Sequence, residues 1–368
     1  MLNNLDKNYI WLDSFGLNLK KRTALIDLTL GIDKIYDIFN DKNKVAAAKI
    51  VTSAMLVKMK NAATDEYLLN HLKKLNKYQI ACITQASDDF PASLRNIPDA
   101  PQVLYLVGDV SLLNKPALGI VGTRRPSRYG REVADSFTKK LIDSLVPVSG
   151  LAFGIDSCVA QAGVDVKKPT IAVMGCGLDY IYPPSNTNLA RQIVEFGGLL
   201  VSEYAPEIRP TQYSFLERNR IISGLSLGVL VVEAGVRSGA TATAYDAVEQ
   251  GRELFVIPGN ITSQTSAGCN KLIENMPDTF TTSVDQILNK LKIDTGANNK
   301  NAQPAVQFTV DEMAIINAIG DEEKYIDDIG DATGIFGKTL VTTLAQMEIK
   351  GIIKKLSGNY YAKISLPN

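Results

Sequence analysis

The sequence is poor in the residue types that build metal sites and covalent catalytic centres. Its 368 residues include one histidine and four cysteines, and the cysteines are scattered without a CxxC pair. No cluster therefore has the spacing of metal ligands. We expect no metal and no cofactor, and we interpret the cysteines as ordinary buried thiols of a reducing compartment.

The chain also lacks a net charge and a long apolar run. Lys+Arg and Asp+Glu are both 39, so no overall field draws it to nucleic acid, and any such site has to be a local patch. No run approaches the roughly 18 apolar residues of a membrane span, and residues 1–7 have no basic-then-apolar signal. We expect a cytoplasmic protein without a membrane partner.

Motifs of the common nucleotide-dependent enzymes are missing as well. The central region has no histidine, no GxSxG nucleophile elbow and no GxxxxGK[ST], since its GxSxG string at residues 224–228 runs into a predicted strand instead of following one. It thus offers no positioned base, nucleophile or phosphate loop of these kinds. Gly175 and Gly177 form a lone GxG, without the GxGxxG spacing that dinucleotide binding requires. We expect a binding protein and not an enzyme.

An arginine-rich stretch lies where a strand is predicted to run into a helix. An apolar run ends at residue 121, and residues 122–130 read GTRRPSRYG. A strand-to-helix loop points backbone N–H groups and the positive end of a helix dipole at one spot, which favours anions. Arg124, Arg125 and Arg128 add guanidinium groups that match phosphate oxygens. The stretch indicates a polyanion site, and a solvated turn is the alternative.

Alternating apolar and amphipathic segments predict an α/β fold for the centre of the chain. Short apolar runs separated by helical patterns are typical of a mostly parallel sheet with helices on both faces. Ligands of such folds bind beyond the carboxyl ends of the strands. The loops there are rich in Gly, Ser and Arg with aromatics between them, as in a single-strand binding groove, although each ring fits the core equally well. The central strands are predicted at 118–122, 145–149, 170–174, 199–202, 228–232 and 254–257.

An Arg-Asn-Arg triplet occupies residues 218–220, and we place it at the front of a helix that continues into Ile221 and Ile222. Cations at a helix N-terminus oppose the helix dipole, so an anion or a carboxylate is needed nearby. The triplet is either a ligand site or part of an internal ion pair with Glu203 or Glu233. Both interpretations can hold, because a carboxylate can bind one arginine while the other faces a ligand.

Composition divides the chain into four segments. Residues 1–85 predict a helical N-terminal domain, SAM-like or helix-turn in type, with a purely structural bundle as the alternative. Residues 86–292 form the α/β domain, and residues 293–306 are a polar, Asn-rich linker. Residues 307–368 indicate a winged-helix domain, whose acidic residues favour protein contact over duplex binding. Its helices are predicted at 310–319, 324–332 and 336–350.

An ordered set of motifs between about residues 90 and 288 resembles the DNA-processing protein A family (DprA, also called Smf). Each piece alone is a weak signal, and their common order makes the set specific. The pieces are GTR at 122–124 followed by Ser127, Tyr129 and Gly130, SGxAxGID at 149–156, GxGxD at 175–179, YP at 182–183, SEY at 202–204, FxxRNRII at 215–222, SG at 238–239 and PG at 258–259.

The resemblance implies an extended Rossmann-like fold that binds single-stranded DNA without sequence preference. It also implies a homodimer that protects incoming DNA and loads a RecA-type recombinase in natural transformation. Arg124, Arg218 and Arg220 are the implied DNA contacts, with Ser127 beside the first. Taken with the loop composition, the candidate DNA-binding residues are Arg124, Ser127, Arg128, Ser149, Gly150, Phe153, Gly154, Arg218, Asn219, Arg220, Arg237, Ser238 and Gly239.

A rival interpretation is a Rossmann-like hydrolase that uses Glu233 or Asp156 as acid or base on a nucleotide. Nucleotide hydrolases similar to lysine decarboxylases resemble this fold. Their PGGxGTxxE signature is missing from the sequence, which favours the DNA-binding interpretation.

Overall fold

The computed structural model describes residues 3–293, 309–320, 323–350, 352–356 and 358–363. They belong to two compact units, Met1–Thr295 and Gly296–Asn368. The predicted linker lies outside the described residues, apart from Ile293. Among the described residues, no helix is long and apolar enough to cross a membrane.

The helices at the start of the first unit share a core of their own. Most of them begin at an Asn or Thr whose side chain accepts a hydrogen bond from an N–H of the first turn. Their apolar faces meet around Trp11, whose indole N–H donates to the carbonyl of Ala62 at 3.0 Å. The elements are α1 (Asn4–Asp13), α2 (Leu19–Leu28), a 3-10 helix (Ile32–Phe39), α3 (Asp41–Ile50), α4 (Ser53–Asn61) and α5 (Asp65–Lys77).

An eight-stranded sheet forms the centre of the first unit. Its strands are β1 (Ala81–Thr84), β2 (Val103–Gly108), β3 (Ala117–Val121), β4 (Val146–Ser149), β5 (Ile171–Met174), β6 (Leu199–Ser202), β7 (Gly228–Val231) and β8 (Glu253–Val256). Their spatial order is β1-β2-β6-β5-β4-β3-β7-β8. The last six are parallel, whereas β2 pairs antiparallel with both β1 and β6. The predicted central strands are confirmed to within one residue.

The strand order creates a crevice beside β3. From β3 the chain moves outward through β4 and β5 to β6, and then it returns to β7 on the other side of β3. Leu230 of β7 pairs in parallel with Ile120 of β3. Ligands of open parallel sheets bind where the connections depart in opposite directions. The loops that follow β3 and β7 are therefore the edges of the expected site.

Helices cover both faces of this sheet, because successive strand residues point to opposite sides. They are α6 (Ala92–Arg95), α7 (Arg128–Leu141), α8 (Ile155–Asp165), α9 (Thr187–Glu195), α10 (Gln212–Gly224), α11 (Gly239–Glu249), α12 (Ala267–Asn275) and α13 (Val284–Lys290), with 3-10 helices at Val110–Asn114, Pro184–Asn186 and Pro277–Thr279. Ile120 packs with residues of α7, α8 and α13. Val121 packs with residues of α10, α11 and α12.

The first unit also includes residues on both sides of the predicted boundary at residue 85. Strand β1 precedes that boundary and already pairs with β2 in the sheet. The structure thus joins the helical segment and the α/β segment in one compact unit, and their division into separate domains stays a prediction.

The second unit is small and has its own core around Ile315, Ile329 and Leu344. It contains α14 (Val310–Ile319), β9 (Lys324–Tyr325), α15 (Ile326–Thr333), α16 (Gly337–Ile349), β10 (Ile353–Lys355) and β11 (Tyr360–Lys363). The strands form an antiparallel sheet in the order β10-β11-β9. The three predicted helices are present, but the second begins at Ile326 and not at 324, because Lys324 and Tyr325 form β9. The winged-helix assignment stays a prediction.

Substitution of Ile120 by Ala tests the central packing. Ile120 is fully buried on β3, and its truncation should lower the free energy of unfolding by about 2–5 kcal/mol. Ile261 is 89% exposed, and Ile261→Ala should change that free energy by less than about 0.5 kcal/mol. Urea unfolding followed through the fluorescence of Trp11 measures both. Equal shifts for the two variants would contradict this description of the core.

Candidate functional site

The loop after β3 has a backbone that is hydrogen-bonded to the sheet at its start and arginine side chains that are exposed. The N–H of Thr123 donates to the carbonyl of Glu233 at 2.7 Å, at the end of β7. The Thr123 hydroxyl accepts a hydrogen bond from the N–H of Arg125 at 3.2 Å. Arg124 and Arg125 are exposed. The backbone of the loop is thus tied to the sheet while its guanidinium groups face solvent.

Ser127 and Glu233 close this loop. The Ser127 side chain caps α7, and its hydroxyl donates to Glu233 Oε1 at 2.6 Å while its N–H donates to Oε2 at 2.8 Å. The hydroxyl of Thr265 donates to the same carboxylate at 3.2 Å. Glu233 is buried and forms no ion pair with an arginine among the described residues. The hydroxyl of Ser127, a candidate DNA contact, is therefore used inside the protein.

A second loop, between β4 and α8, packs on the first. Gly154 has φ +83°, and a Cβ at this position would lie 2.2 Å from the carbonyl oxygen of Thr123 and 2.7 Å from the Cα of Arg124. Only glycine allows this approach at this backbone angle. Phe153 is half exposed beside it. The hydroxyl of Ser149 is buried and donates to the carbonyl of Ile120 at 2.7 Å, so Ser149 braces the strands.

The Arg-Asn-Arg triplet lies in the middle of α10, and its predicted place at the front of a helix is wrong. The helix begins at Gln212, because Thr211 and Ser214 form a reciprocal capping box there. The argument from a helix N-terminus therefore does not apply to the triplet.

The first two triplet residues hold α10 against the sheet and α11. Arg218 is 3% exposed, and its Nη1 donates to the carbonyl of Gly150 at 2.7 Å and to the carbonyl of Val173. The side-chain amide of Asn219 donates to the carbonyl of Gly239 at 3.2 Å. These bonds satisfy a guanidinium that burial would otherwise penalise. They also use the donors that the sequence assigned to DNA.

The third triplet residue, Arg220, points to another side of the helix. Two residues along an α-helix differ by about 200° in direction. Arg220 Nη2 lies 2.6 Å from Glu203 Oε2, and both side chains are largely buried. The predicted internal ion pair thus exists with Glu203. Arg220 lines a different cavity from Arg218.

A cavity of about 530 Å³ lies at the carboxyl edge of β3, among the two loops, α10 and α11. The Arg124 guanidinium sits 5.4 Å from the centre of the Phe215 ring, and Tyr182 lies against the same ring with centroids 5.3 Å apart. The cavity is lined by Val121, Gly122, Thr123, Arg124, Ala152, Asp156, Tyr182, Gln212, Phe215, Leu216, Arg218, Asn219, Ile222, Ser238, Gly239, Ala240 and Thr243.

Asp156 supplies the carboxylate of this lining. Burial raises the pKa of the Asp156 carboxyl, and the charge of Arg218 opposes that shift. Burial likewise lowers the pKa of the Arg218 guanidinium, and Asp156 opposes that shift. The two groups stabilise each other's charged form, as a buried pair requires.

The structure brings some candidate residues together and separates others. Those that line the cavity are Arg124, Arg218, Asn219, Ser238 and Gly239. Gly150 and Gly154 do not line it: the carbonyl of Gly150 accepts a hydrogen bond from Arg218, and Gly154 packs against Thr123 and Arg124. Arg237 is exposed next to Ser238, the residue that caps α11. Arg128 is exposed and pairs with Glu132 at 2.7 Å.

The sequence indicated that loop aromatics could contact bases, but it left Phe215 and Tyr182, which furnish the aromatic wall, out of the candidate DNA-binding residues. Gln212, Phe215, Arg218 and Ile222 recur at the three- and four-residue spacing of one helix face. That spacing is the signal that could have placed Phe215 beside the cavity. Exposed Arg125 was likewise noted in the loop but left out of the candidate contacts.

The arrangement is suited to binding a phosphate beside a flat ring. Guanidinium groups match phosphate oxygens, and aromatic faces stack on bases. No group of three His, Cys, Asp or Glu side chains that could hold a metal occurs among the described residues. Cys176 and Cys269 are buried as expected, whereas Cys82 and Cys158 are only partly buried.

Comparison with known proteins gives matches over most of the first unit. The family model described as DNA recombination-mediator protein A matches residues 81–292, more than half of the chain. Protein Smf of Escherichia coli (strain K12) is 36% identical over 281 residues, which are 74% of this chain and 75% of that protein.

Two solved structures are also similar. The X-ray structure of DNA processing protein A (DprA) from Streptococcus pneumoniae gives a TM-score of 0.65 at 32% identity and covers 77% of this chain and 97% of that one. A structure of DNA processing protein A from Helicobacter pylori, described as giving insight into its single-stranded DNA binding mode, gives a TM-score of 0.51 at 31% identity and covers 58% and 96%.

Substitution of Gly154 by Ala tests the contact between the two loops. The added Cβ would collide with the backbone of Thr123, so we expect a loss of stability and altered NMR amide shifts across residues 122–127. Gly197 is the matched control, because it has φ +78° and nothing lies within 4 Å of its added Cβ. Gly197→Ala should lower the free energy of unfolding by only about 1–2 kcal/mol, the cost of a left-handed backbone conformation for a residue with a Cβ. An equal cost for both variants would show that the loops do not need this approach.

Proposed function

The chain belongs to the DNA recombination-mediator protein A family, and from that membership and the cavity we propose that it binds single-stranded DNA without sequence preference. The resemblance found in the sequence is thereby confirmed. The proposed path of the DNA crosses the carboxyl edge of β3 and passes over the Arg124 loop and the first half of α10.

The observation that carries this proposal is the guanidinium of Arg124 above the ring of Phe215. A nucleotide presents a phosphate and a flat base a few ångströms apart, and here a cation and an aromatic face stand at a similar separation. Stacking on an aromatic ring tolerates every base, since each base has a π-face. Binding of this kind needs no hydrogen bonds to base edges and gives no sequence preference.

Local charge supports the same proposal. The chain has no net charge, yet Arg124, Arg125 and Arg237 are exposed at this edge, and their side chains form no ion pair among the described residues. Each is free to neutralise a phosphate and release a counterion. An exposed arginine can bind a phosphate at a small desolvation cost, whereas the buried Arg218 already binds carbonyl groups of the protein.

We further propose that the chain acts by binding and not by catalysis. The carboxylate in the cavity lining, Asp156, is buried, and the charge of Arg218 opposes the rise that burial causes in its pKa. Glu233 of the rival hydrolase interpretation is hydrogen-bonded to Ser127 and holds the Arg124 loop, so it is not placed as a free acid or base. Binding without reaction suits a protein that has to hand its DNA on.

The finer role that we propose is in natural transformation. A homodimer would align two such edges along one strand, protect incoming DNA and load a RecA-type recombinase onto it. The family description, DNA recombination-mediator protein A, and the relatives' name, DNA processing protein A, support this proposal. Sequence-independent stacking is compatible with it, because transforming DNA has no fixed sequence.

The variant Arg124→Ala tests the site. We expect it to weaken binding of a labelled poly-dT oligonucleotide and to reduce the slope of log K against log salt by about 0.7, the value of one phosphate contact on a single strand. Fluorescence anisotropy at several salt concentrations measures both. Arg191, exposed on α9, is the control, and Arg191→Ala should leave the slope unchanged. Unchanged binding by a folded Arg124→Ala protein would contradict the proposed site.

A further inference from the structure

The ion pair of Arg220 with Glu203 is built more like a structural anchor than a ligand site. The Arg220 side chain is 14% exposed and that of Glu203 is 5% exposed, with 2.6 Å between Nη2 and Oε2. The carbonyl of Arg220 also accepts a hydrogen bond from the side-chain amide of Gln250 at 3.0 Å, at the end of α11. The Nη2 and the carbonyl of Arg220 are therefore engaged inside the protein, whereas its buried Nη1 has no hydrogen-bond partner among the described residues.

Further buried charges surround this pair. Arg22 of α2 is buried and is ion-paired with Asp13, and the hydroxyl of Tyr105 on β2 donates to Asp13 at 2.6 Å. Burial lowers the pKa of the Arg22 guanidinium, and Glu203 is the largest of the charges that oppose this shift. The cluster thus connects the N-terminal helices, the sheet and α10.

The surroundings of Arg220 disfavour a phosphate. The cavity that it lines also holds acidic side chains, which outnumber the basic ones. The acids are Asp13, Asp27, Asp99, Glu203, Glu217 and Asp246, and the bases are Lys20, Arg22 and Arg220. Like charges repel a DNA backbone from this side of the helix.

Separation of Arg220 from Glu203 would also cost much stability. A phosphate contact by Arg220 would break the ion pair and leave the Glu203 carboxylate buried beside one distant arginine. Removing one partner of a buried pair is strongly destabilising, because the other charge stays uncompensated. Arg220 therefore has little freedom to move toward DNA.

The same helix carries the wall of the DNA cavity. Phe215 and Arg218 line that cavity from α10, and Arg220 is fixed on another side of the same helix. A helix held at several points around its axis cannot rotate. The direction of the Phe215 ring then depends on the bond between Arg220 and Glu203.

We propose that Arg220 is a positioning residue: its ion pair with Glu203 sets α10 so that Phe215 faces the DNA, and Arg220 itself contacts no phosphate. This inference rests on the proposed function for its effect on DNA. It assigns the phosphate charge to the exposed arginines of the edge, and it gives Glu203 a role in DNA affinity without contact with DNA.

Three variants separate positioning from contact: Arg220→Gln, Glu203→Gln and both together. Positioning predicts that each single variant weakens poly-dT binding by about tenfold, a usual coupling between contacting residues. The double variant should be no weaker than the worse single variant, and the salt slope should stay that of the wild type. A phosphate contact instead predicts that Arg220→Gln lowers the slope by about 0.7 and that Glu203→Gln leaves binding unchanged or tighter. That result would overturn the inference.

A conservative variant covers the case in which the neutral variants do not fold. Glu203→Asp keeps every charge and shortens the carboxylate by one methylene. Positioning predicts weaker DNA binding at an unchanged salt slope. Unchanged binding of poly-dT by a folded Glu203→Asp protein would contradict it.

Amide hydrogen exchange of the free protein tests the positioning role without DNA. Glu203→Asp should speed amide exchange in α10 and leave exchange in α7 at the wild-type rate. Equal exchange in α10 of the variant and the wild type would overturn the positioning role. Failure of the wild type to bind poly-dT would reject the proposed function, and the exchange result would still decide whether Glu203 holds α10.

Discussion

A buried guanidinium has to be hydrogen-bonded, and this requirement fixes α10, on which the candidate site depends. Arg218 meets it with the carbonyls of Gly150 and Val173, and Arg220 meets it in part, through the hydrogen bond of its Nη2 to Glu203. The cost of an unpaired buried charge makes these bonds hard to break. The helix is consequently held from two sides, and Phe215 is presented to the crevice beside β3 with little freedom.

Much of the α/β fold could be predicted from the sequence, because a parallel strand buried on both faces is a short, nearly continuous apolar run. Residues 118–121 and 228–231 show this pattern, and they form β3 and β7. The start of α10 could not be placed in the same way. Its signal is the small box of Thr211 and Ser214, which precedes any apolar periodicity and is easily taken for a polar connector.

The sequence predicted which loops form the candidate site, but it did not predict the direction in which the side chains point. Arg218 and Arg220 are the same residue type two positions apart, yet they point to different cavities. Their partners lie far along the chain, with Gly150 68 positions from Arg218 and Glu203 17 positions from Arg220. Contacts between residues so far apart in the sequence cannot be read from local sequence patterns. Exposure therefore separates the arginines available to a ligand, such as Arg124, from those that hold the fold.

The central claim, that DNA passes over Phe215 and Tyr182, is tested most directly by photo-crosslinking. A poly-dT oligonucleotide with single 5-iododeoxyuridine substitutions, which react with aromatic side chains on irradiation, would be bound and irradiated, and the adducts mapped by mass spectrometry. We expect adducts at Phe215 or Tyr182, suppressed by unlabelled poly-dT and lost in Phe215→Leu/Tyr182→Leu. Adducts confined to other aromatic residues, such as those of the second unit or of the N-terminal helices, would contradict it.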